Sequence, residues 1–297
     1  MQLGVHLPQN EIGHDRAAIL DFVQAAEGIG YDSLIMGEHV LAIDAPAAGL
    51  TRPYTMDWVW HEPFVLFAWL AAHTTRVRFM TSVMVLPLRQ TALAARQAAE
   101  VDFLSGGRLM LGVGTGWNEP EFEAMGSDWA SRGARLDEQV ALMRELWSKP
   151  IVNFEGRYHH VRHMGITPTP RRTIPIWMGG MANVVLDRIG RIGDGWNVLR
   201  SQYTGRVSEA DADADFHRRL ARIHAAARKA GRDPAAIGIG TAIDVVEGPL
   251  EQQVAEARRW RELGATFTAI RTTAAGFTSL DQHLDAIRAF HEGASTA

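Results

Sequence analysis

The sequence predicts an α/β fold, a (β/α)8 TIM barrel, on three observations. Short β-type runs alternate with amphipathic helical stretches from end to end, in about eight β-then-α units. The strand candidates are almost continuously apolar, the pattern of a parallel sheet buried on both faces. A chain of 297 residues is an ordinary length for one such barrel, so a single domain over residues 1–297 is expected.

Residues 2–8 (QLGVHLP) read as the first strand and 14–30 as a helix. Ala18, Phe22, Ala25, Ala26 and Ile29 give that helix one apolar stripe, and Gly28 and Gly30 are expected to stop it. DSLIMG (32–37) is the second strand, 62–74 a helix, and 76–87 a third strand with an irregular end. The pattern goes on with a helix at 89–107, a strand at 108–114 and a helical region at 119–147. Strands at 174–180 and 194–199 flank a helix at 182–193. A polar helix around 208–230, a strand at 237–246, a helix at 249–263, a strand at 266–271 and a helix at 280–291 complete the chain. Two segments interrupt the rhythm: a loop at 40–61 after strand 2, and a Pro- and His-rich insertion at 150–173 before strand 5. Loops of that length are functional or disordered.

Composition narrows the function. An apolar content of 46% supplies a large core, and 22% charged residues suit a soluble surface. A net charge of −4 argues against nucleic acid as a partner, since that needs a concentrated basic face. No run approaches the roughly 20 apolar residues of a membrane helix. MQLGVHLPQN has no basic start followed by an apolar stretch, so a cytoplasmic protein with no membrane partner is expected. The absence of cysteine excludes disulfides, thiolate metal sites and cysteine nucleophiles.

Barrels of this kind keep their chemistry at the C-terminal ends of the strands. There the second strand runs into Gly37-Glu38-His39. On the decapeptide YDSLIMGEHV alone this pair reads as loop polarity or a structural histidine; its place at a strand end favours chemistry. Strand 3 ends Thr81-Ser82-Val83-Met84, strand 4 ends Gly112-Val113-Gly114-Thr115-Gly116-Trp117, and strand 5 ends Gly179-Gly180 at the start of a helix. These glycines make tight turns or let a ligand approach the backbone, and the last pair also suits an anion. Trp117 stands where a dinucleotide fingerprint needs its third glycine. There is no P-loop and no G-x-S-x-G elbow. His159, His160 and His163 lack the glutamate of a zinc-hydrolase motif, so no metal is expected.

Six pieces in order, GYDSLIMGEHV, TTRVRFMTSVMVLPLR, LSGGRLMLGVGTGWNEPEFEAMG, RGARLDEQVALMRELW, PIWMGG and GDGWN, resemble the luciferase-like flavin and deazaflavin oxidoreductases, most closely their actinobacterial branch that uses coenzyme F420. The likeness covers residues 1 to about 200, and the last third matches in its βα rhythm only. It implies the luciferase-like barrel and an F420-dependent oxidoreductase passing hydride between the deazaflavin and a small organic substrate. The alternatives are an FMN-dependent monooxygenase and a non-catalytic cofactor-binding relative. It further implies His39 as the group exchanging a proton with substrate, and Glu38 positioning the ring or the imidazole. A non-proline cis peptide at Ser82-Val83 would back the ring, beside Gly114 and Thr115. Gly179, Gly180 and Asn183 would hold the phosphate. Read from the residues themselves, Trp58, Trp60 and His61 of the 40–61 loop, with Trp117 and the 150–173 insertion, cover the substrate pocket or else pack as ordinary core beneath the loop. A homodimer built on early helices is also implied. The chain departs from the pattern three times: Trp117 replaces the glutamate of the sugar-phosphate dehydrogenases, Ala182 replaces a hydroxyl residue, and Glu38 stands where many F420 members have Asp.

Overall fold

The computed structural model describes residues 1–50, 54–198 and 209–295, with the backbone alone at 209 and 210. In chain order the elements are β1 (Gln2–His6), α1 (Gln9–Ile12), α2 (Arg16–Ile29), β2 (Ser33–Met36), α3 (Pro63–Ala71), β3 (Arg78–Thr81), β4 (Met84–Val85), α4 (Thr91–Leu104), β5 (Leu109–Gly114), α5 (Glu119–Ala124) and α6 (Arg132–Ser148). There follow β6 (Val152–Glu155), β7 (His160–Met164), β8 (Ile176–Gly179), α7 (Asn183–Ile192), β9 (Gly195–Asn197), α8 (Glu209–Lys229), β10 (Gly238–Asp244), α9 (Leu250–Glu262), β11 (Phe267–Arg271) and α10 (Leu280–Ser295). The main sheet has the order β3-β2-β1-β11-β10-β9-β8-β5-β4, and β3 also pairs with β5, so eight strands make a continuous ring of ladders. The (β/α)8 barrel expected from the sequence is the fold.

By internal contacts the chain divides into two units, residues 1–35 with 176–297, and residues 36–175. In the first, β1 pairs in parallel with β11 and β11 with β10, and Val5 stands opposite Ile270. Against these strands lie the rings of the half-buried Trp177 and the buried Phe267, which meet edge to face at 6.4 Å. Small residues make the space for them. A Cβ on Gly195 would lie 2.2 Å from Trp177, one on Gly238 2.6 Å from it, and one on Gly4 2.4 Å from Phe267. Interiors pack at crystal-like density, so these strand glycines are a packing requirement. Helix α2 starts on Asp15, whose carboxylate accepts from Ala17 N–H at 2.8 Å, and ends at Gly30 with φ 117°. Gly28, expected to help stop it, lies inside the helix.

In the second unit α3 opens on Glu62, whose side chain accepts from Val65 N–H, with Pro63 at its first position. Arg108 donates to the carbonyl of Ala71 at the helix end and to those of Thr74 and Val77 in the segment that follows. The third strand is shorter than expected and breaks in two around Ser82-Val83, which form a cis peptide. The insertion at 150–173 holds an antiparallel hairpin, β6 with β7. Its turn is fastened by Glu138 of α6, which accepts from the N–H groups of Arg157 and Tyr158 and from His159 Nδ1. His159 also meets Thr91 Oγ1 of α4 through Nε2 at 2.6 Å, a structural use of that histidine. The strand expected at 194–199 ends at Asn197; Leu199, and residue 208 of the polar helix, lie outside the described residues. Among the described residues no helix is long and apolar enough to cross a membrane.

Candidate active site

All four residues of β2 are buried. Past its end the chain runs beside Ser82 at Gly37, where a Cβ would lie in ordinary contact, 3.5 Å from the Ser82 carbonyl oxygen. The next two side chains are both buried, Glu38 to 4% and His39 to 9% exposure. A buried carboxylate requires donors. Glu38 has two sets: Oε1 accepts from Val85 N–H at 2.9 Å, and Oε2 from Arg89 Nη2 at 2.6 Å. Arg89 donates its other terminal nitrogen to Glu62 at 2.7 Å. Burial works against the charge of Arg89, but the charges and hydrogen bonds of Glu38 and Glu62 outweigh it and raise its proton affinity.

His39 points elsewhere. Its Nδ1 lies 2.8 Å from Oε2 of Glu121 in α5, and both side chains are nearly inaccessible. Oε1 of the same carboxylate accepts from the N–H groups of Val40 at 2.7 Å and Leu41 at 3.1 Å. Burial pushes the Glu121 carboxyl up. The hydrogen bond and charge of His39, with the two backbone donors, outweigh that and hold it below its ordinary value. Around the imidazole stand three rings, Trp60 at 5.0 Å, Trp117 at 5.4 Å and Tyr54 at 5.7 Å between centroids. Trp58 extends the wall, 4.8 Å from Tyr54 and 5.8 Å from Trp60.

Ser82 and Val83 border this region. Ser82 N–H donates to the carbonyl of Met36 at 2.7 Å. Val83 packs on the face of Gly114, where a Cβ would come within 2.7 Å of Val83 Cγ2. Thr115 follows directly at the end of β5. In the other unit Gly179 ends β8, and Gly180, at φ 130°, turns the chain into α7. A Cβ on Gly180 would strike Val185 at 2.9 Å. Helix α7 begins at Asn183 with no side-chain cap from Ala182. An uncapped helix start after a glycine turn is a place for an anion.

The structure therefore gathers Glu38, His39, Ser82, Val83, Gly114, Trp58, Trp60 and Trp117 within the unit of residues 36–175, and Gly179, Gly180 and Asn183 at one turn of the other. His61 directly follows the aromatic wall. One expectation needs correction: Glu38 does not orient the imidazole of His39, because both its oxygens are committed to Val85 and Arg89. Glu121 has that place. Sequence reasoning missed Glu121, Arg89 and Tyr54. Asn118-Glu119-Pro120-Glu121, an acidic helix start right after a glycine-rich strand end, was the available signal for the first. Among the described residues no group of three or more His, Asp or Glu is placed to hold a metal ion.

Comparison with known proteins places the chain among related sequences and folds. An uncharacterised protein of Mycobacterium tuberculosis is 38% identical over 187 residues, which is 60% of this chain and 63% of the relative. The chain thus spans less than two thirds of that relative's length. An F420-dependent glucose-6-phosphate dehydrogenase of Gordonia bronchialis is 33% identical over 261 residues, covering 85% of this chain and 71% of the relative. Among solved structures, an F420-dependent secondary alcohol dehydrogenase in complex with an F420-acetone adduct superposes with a TM-score of 0.75 at 16% identity, over 99% of this chain and 98% of that one. The model of the luciferase-like monooxygenase family matches residues 1–295, and the chain belongs to that family.

Proposed function

We propose that the protein is an F420-dependent oxidoreductase acting on a small, uncharged organic substrate with a planar or apolar body. The observation that carries this reading is the buried His39, held by Glu121 and edged by Trp60, Trp117 and Tyr54. A titratable ring in an aromatic pocket can exchange a proton while the walls keep water out. Trp117 stands where the sugar-phosphate dehydrogenases carry a glutamate, which weighs against sugar-phosphate chemistry.

The residues present fit a deazaflavin. Gly114 and the Ser82-Val83 backbone offer a surface for a flat ring, and, within the other unit, the Gly179-Gly180 turn with the uncapped start of α7 suits a phosphate. When bound, the deazaflavin supplies a two-electron hydride partner. His39 takes up the substrate hydroxyl proton in the oxidising direction and returns it in the reducing direction. The aromatic wall, Tyr54 and Trp58 included, fixes the substrate by stacking. Glu38 and Arg89 hold the chain after β2 in place beneath it.

A second reading, an FMN-dependent monooxygenase, is favoured by the family's description and by Glu38 before the histidine. Fluorescence titration with F420 and with FMN separates them, followed by turnover on secondary alcohols and their ketones. F420 binding far tighter than FMN, with turnover, supports the proposal. Tight FMN binding with weak F420 binding overturns it, and F420 binding without any turnover points to a carrier.

A further inference from the structure

We propose that Glu121 is a positioning residue that locks His39 in the tautomer with its hydrogen on Nδ1, so that His39 acts through Nε2. The role given to His39 rests on the oxidoreductase reading; the tautomer does not.

An ionised carboxylate only accepts hydrogen bonds, so the hydrogen in the 2.8 Å contact belongs to His39 Nδ1. The neutral imidazole then carries its lone pair on Nε2. Among the described residues that nitrogen makes no hydrogen bond. Glu121 is itself immobilised: Val40 and Leu41 N–H hold Oε1, and Asn118 Nδ2 reaches Oε2 at 3.4 Å. The carboxylate cannot rotate away without releasing two part-buried backbone donors. Glu38 cannot substitute, since its two oxygens serve Val85 and Arg89. The arrangement is a carboxylate–imidazole dyad in which residues 82 apart in sequence share one hydrogen.

In this dyad the proton passes between a substrate hydroxyl and Nε2 while Nδ1–H stays on the imidazole. Glu121 stabilises the imidazolium without being protonated. A glutamine at 121 preserves an acceptor for Val40 and Leu41 but turns its amide N–H toward Nδ1. That favours the opposite tautomer, with the hydrogen on Nε2, and removes the acceptor of the substrate proton.

The test uses the full chain, free of ligand and labelled with 15N-histidine. Long-range 1H–15N spectra read the tautomer, and the His39 signal is assigned by its loss in His39→Gln. The wild type is expected to show a protonated Nδ1 and an unprotonated Nε2, and Glu121→Gln the reverse with a similar melting temperature. Once a substrate is found, kcat of Glu121→Gln should fall roughly 10²–10⁴-fold, with KM and cofactor Kd changed only a few-fold. A wild-type His39 protonated on Nε2 overturns the proposal. So does an Nδ1–H tautomer that survives in Glu121→Gln, since Glu121 would then only brace the chain at 40–41. Because the tautomer is read without cofactor, failure of the F420 titration leaves it intact.

Discussion

Glu38 and His39 are adjacent in the chain, yet their side chains serve different partners: Glu38 pairs with Arg89 at 2.6 Å and His39 with Glu121 at 2.8 Å. The first contact braces the turn after β2, and the second sets the imidazole. Substitutions should separate the two.

Arg89→Met removes the cation bonded to Glu38, whose side chain is 1% exposed. Stranding a buried carboxylate costs about 3–5 kcal/mol. The stability of Arg89→Met, read by urea unfolding, should drop by that order. Adding Glu38→Gln should recover a large part of it. Equal losses in the single and double variants would mean that the pair is dispensable and that packing of Arg89 over Phe64 matters more.

His39→Ala tests the reaction. If His39 exchanges the substrate proton, kcat falls by roughly 10²–10⁴-fold while cofactor Kd changes little. A structural histidine gives the opposite pattern, with a lower melting temperature and near-normal turnover in the folded fraction. Three measurements on one variant distinguish the outcomes: kcat, Kd and melting temperature.

His6 at the end of β1 supplies a pH signature. Burial, and then the charge of Arg271, lower its pKa to about 3, against a smaller opposing effect of Asp244. The unfolded chain takes up this proton near pH 6.5, well before the folded one does. Stability contributed by neutral His6 is therefore intact above pH 6.5 and is lost progressively as the pH falls toward 3. The slope is at most about 1.4 kcal/mol per pH unit. In His6→Gln the dependence between pH 6.5 and 5, above most carboxylates, should flatten. An unchanged slope would show that His6 is protonated in the folded state.

Gly195→Ala tests the glycine-lined interior. The new methyl would lie 2.2 Å from Trp177, and overpacking of this kind costs about 1–3 kcal/mol. Trp177→Leu alone opens a cavity and should also destabilise. The double variant should be more stable than the sum of the two losses implies, measured as a coupling energy in urea. Strict additivity would remove Trp177 as the reason for the glycine.

The barrel was legible because each strand is an apolar run that the period-3.6 helices bracket, as at SLIM between α2 and the loop before α3. The hairpin β6–β7 was not, because HVRHM is exposed and its histidines hide the alternation. Its order depends on Glu138, which lies in another element. The same reason hid Glu121 and Arg89. Local pattern marked Glu38-His39 as unusual, but their partners lie 51 and 82 residues away. Only the strands bring those distances to zero. Trp58, Trp60 and Trp117 could be named from the loop and strand end, whereas Tyr54 lacked any spacing that set it apart.

The carboxylates near His39 also set the sign of the electric field at the imidazole. Glu38, Glu62 and Glu121 bring three negative charges and Arg89 one positive charge, so this neighbourhood stays net negative even when His39 carries a proton. A phosphate or carboxylate carried on the substrate's reacting end is repelled from the pocket, and in a buried place water does little to screen it. Neutral alcohols and ketones cross that field without penalty, and an amine is drawn in. Side-by-side inhibition by an aromatic carboxylate, the matching alcohol and the matching amine should rank the carboxylate last.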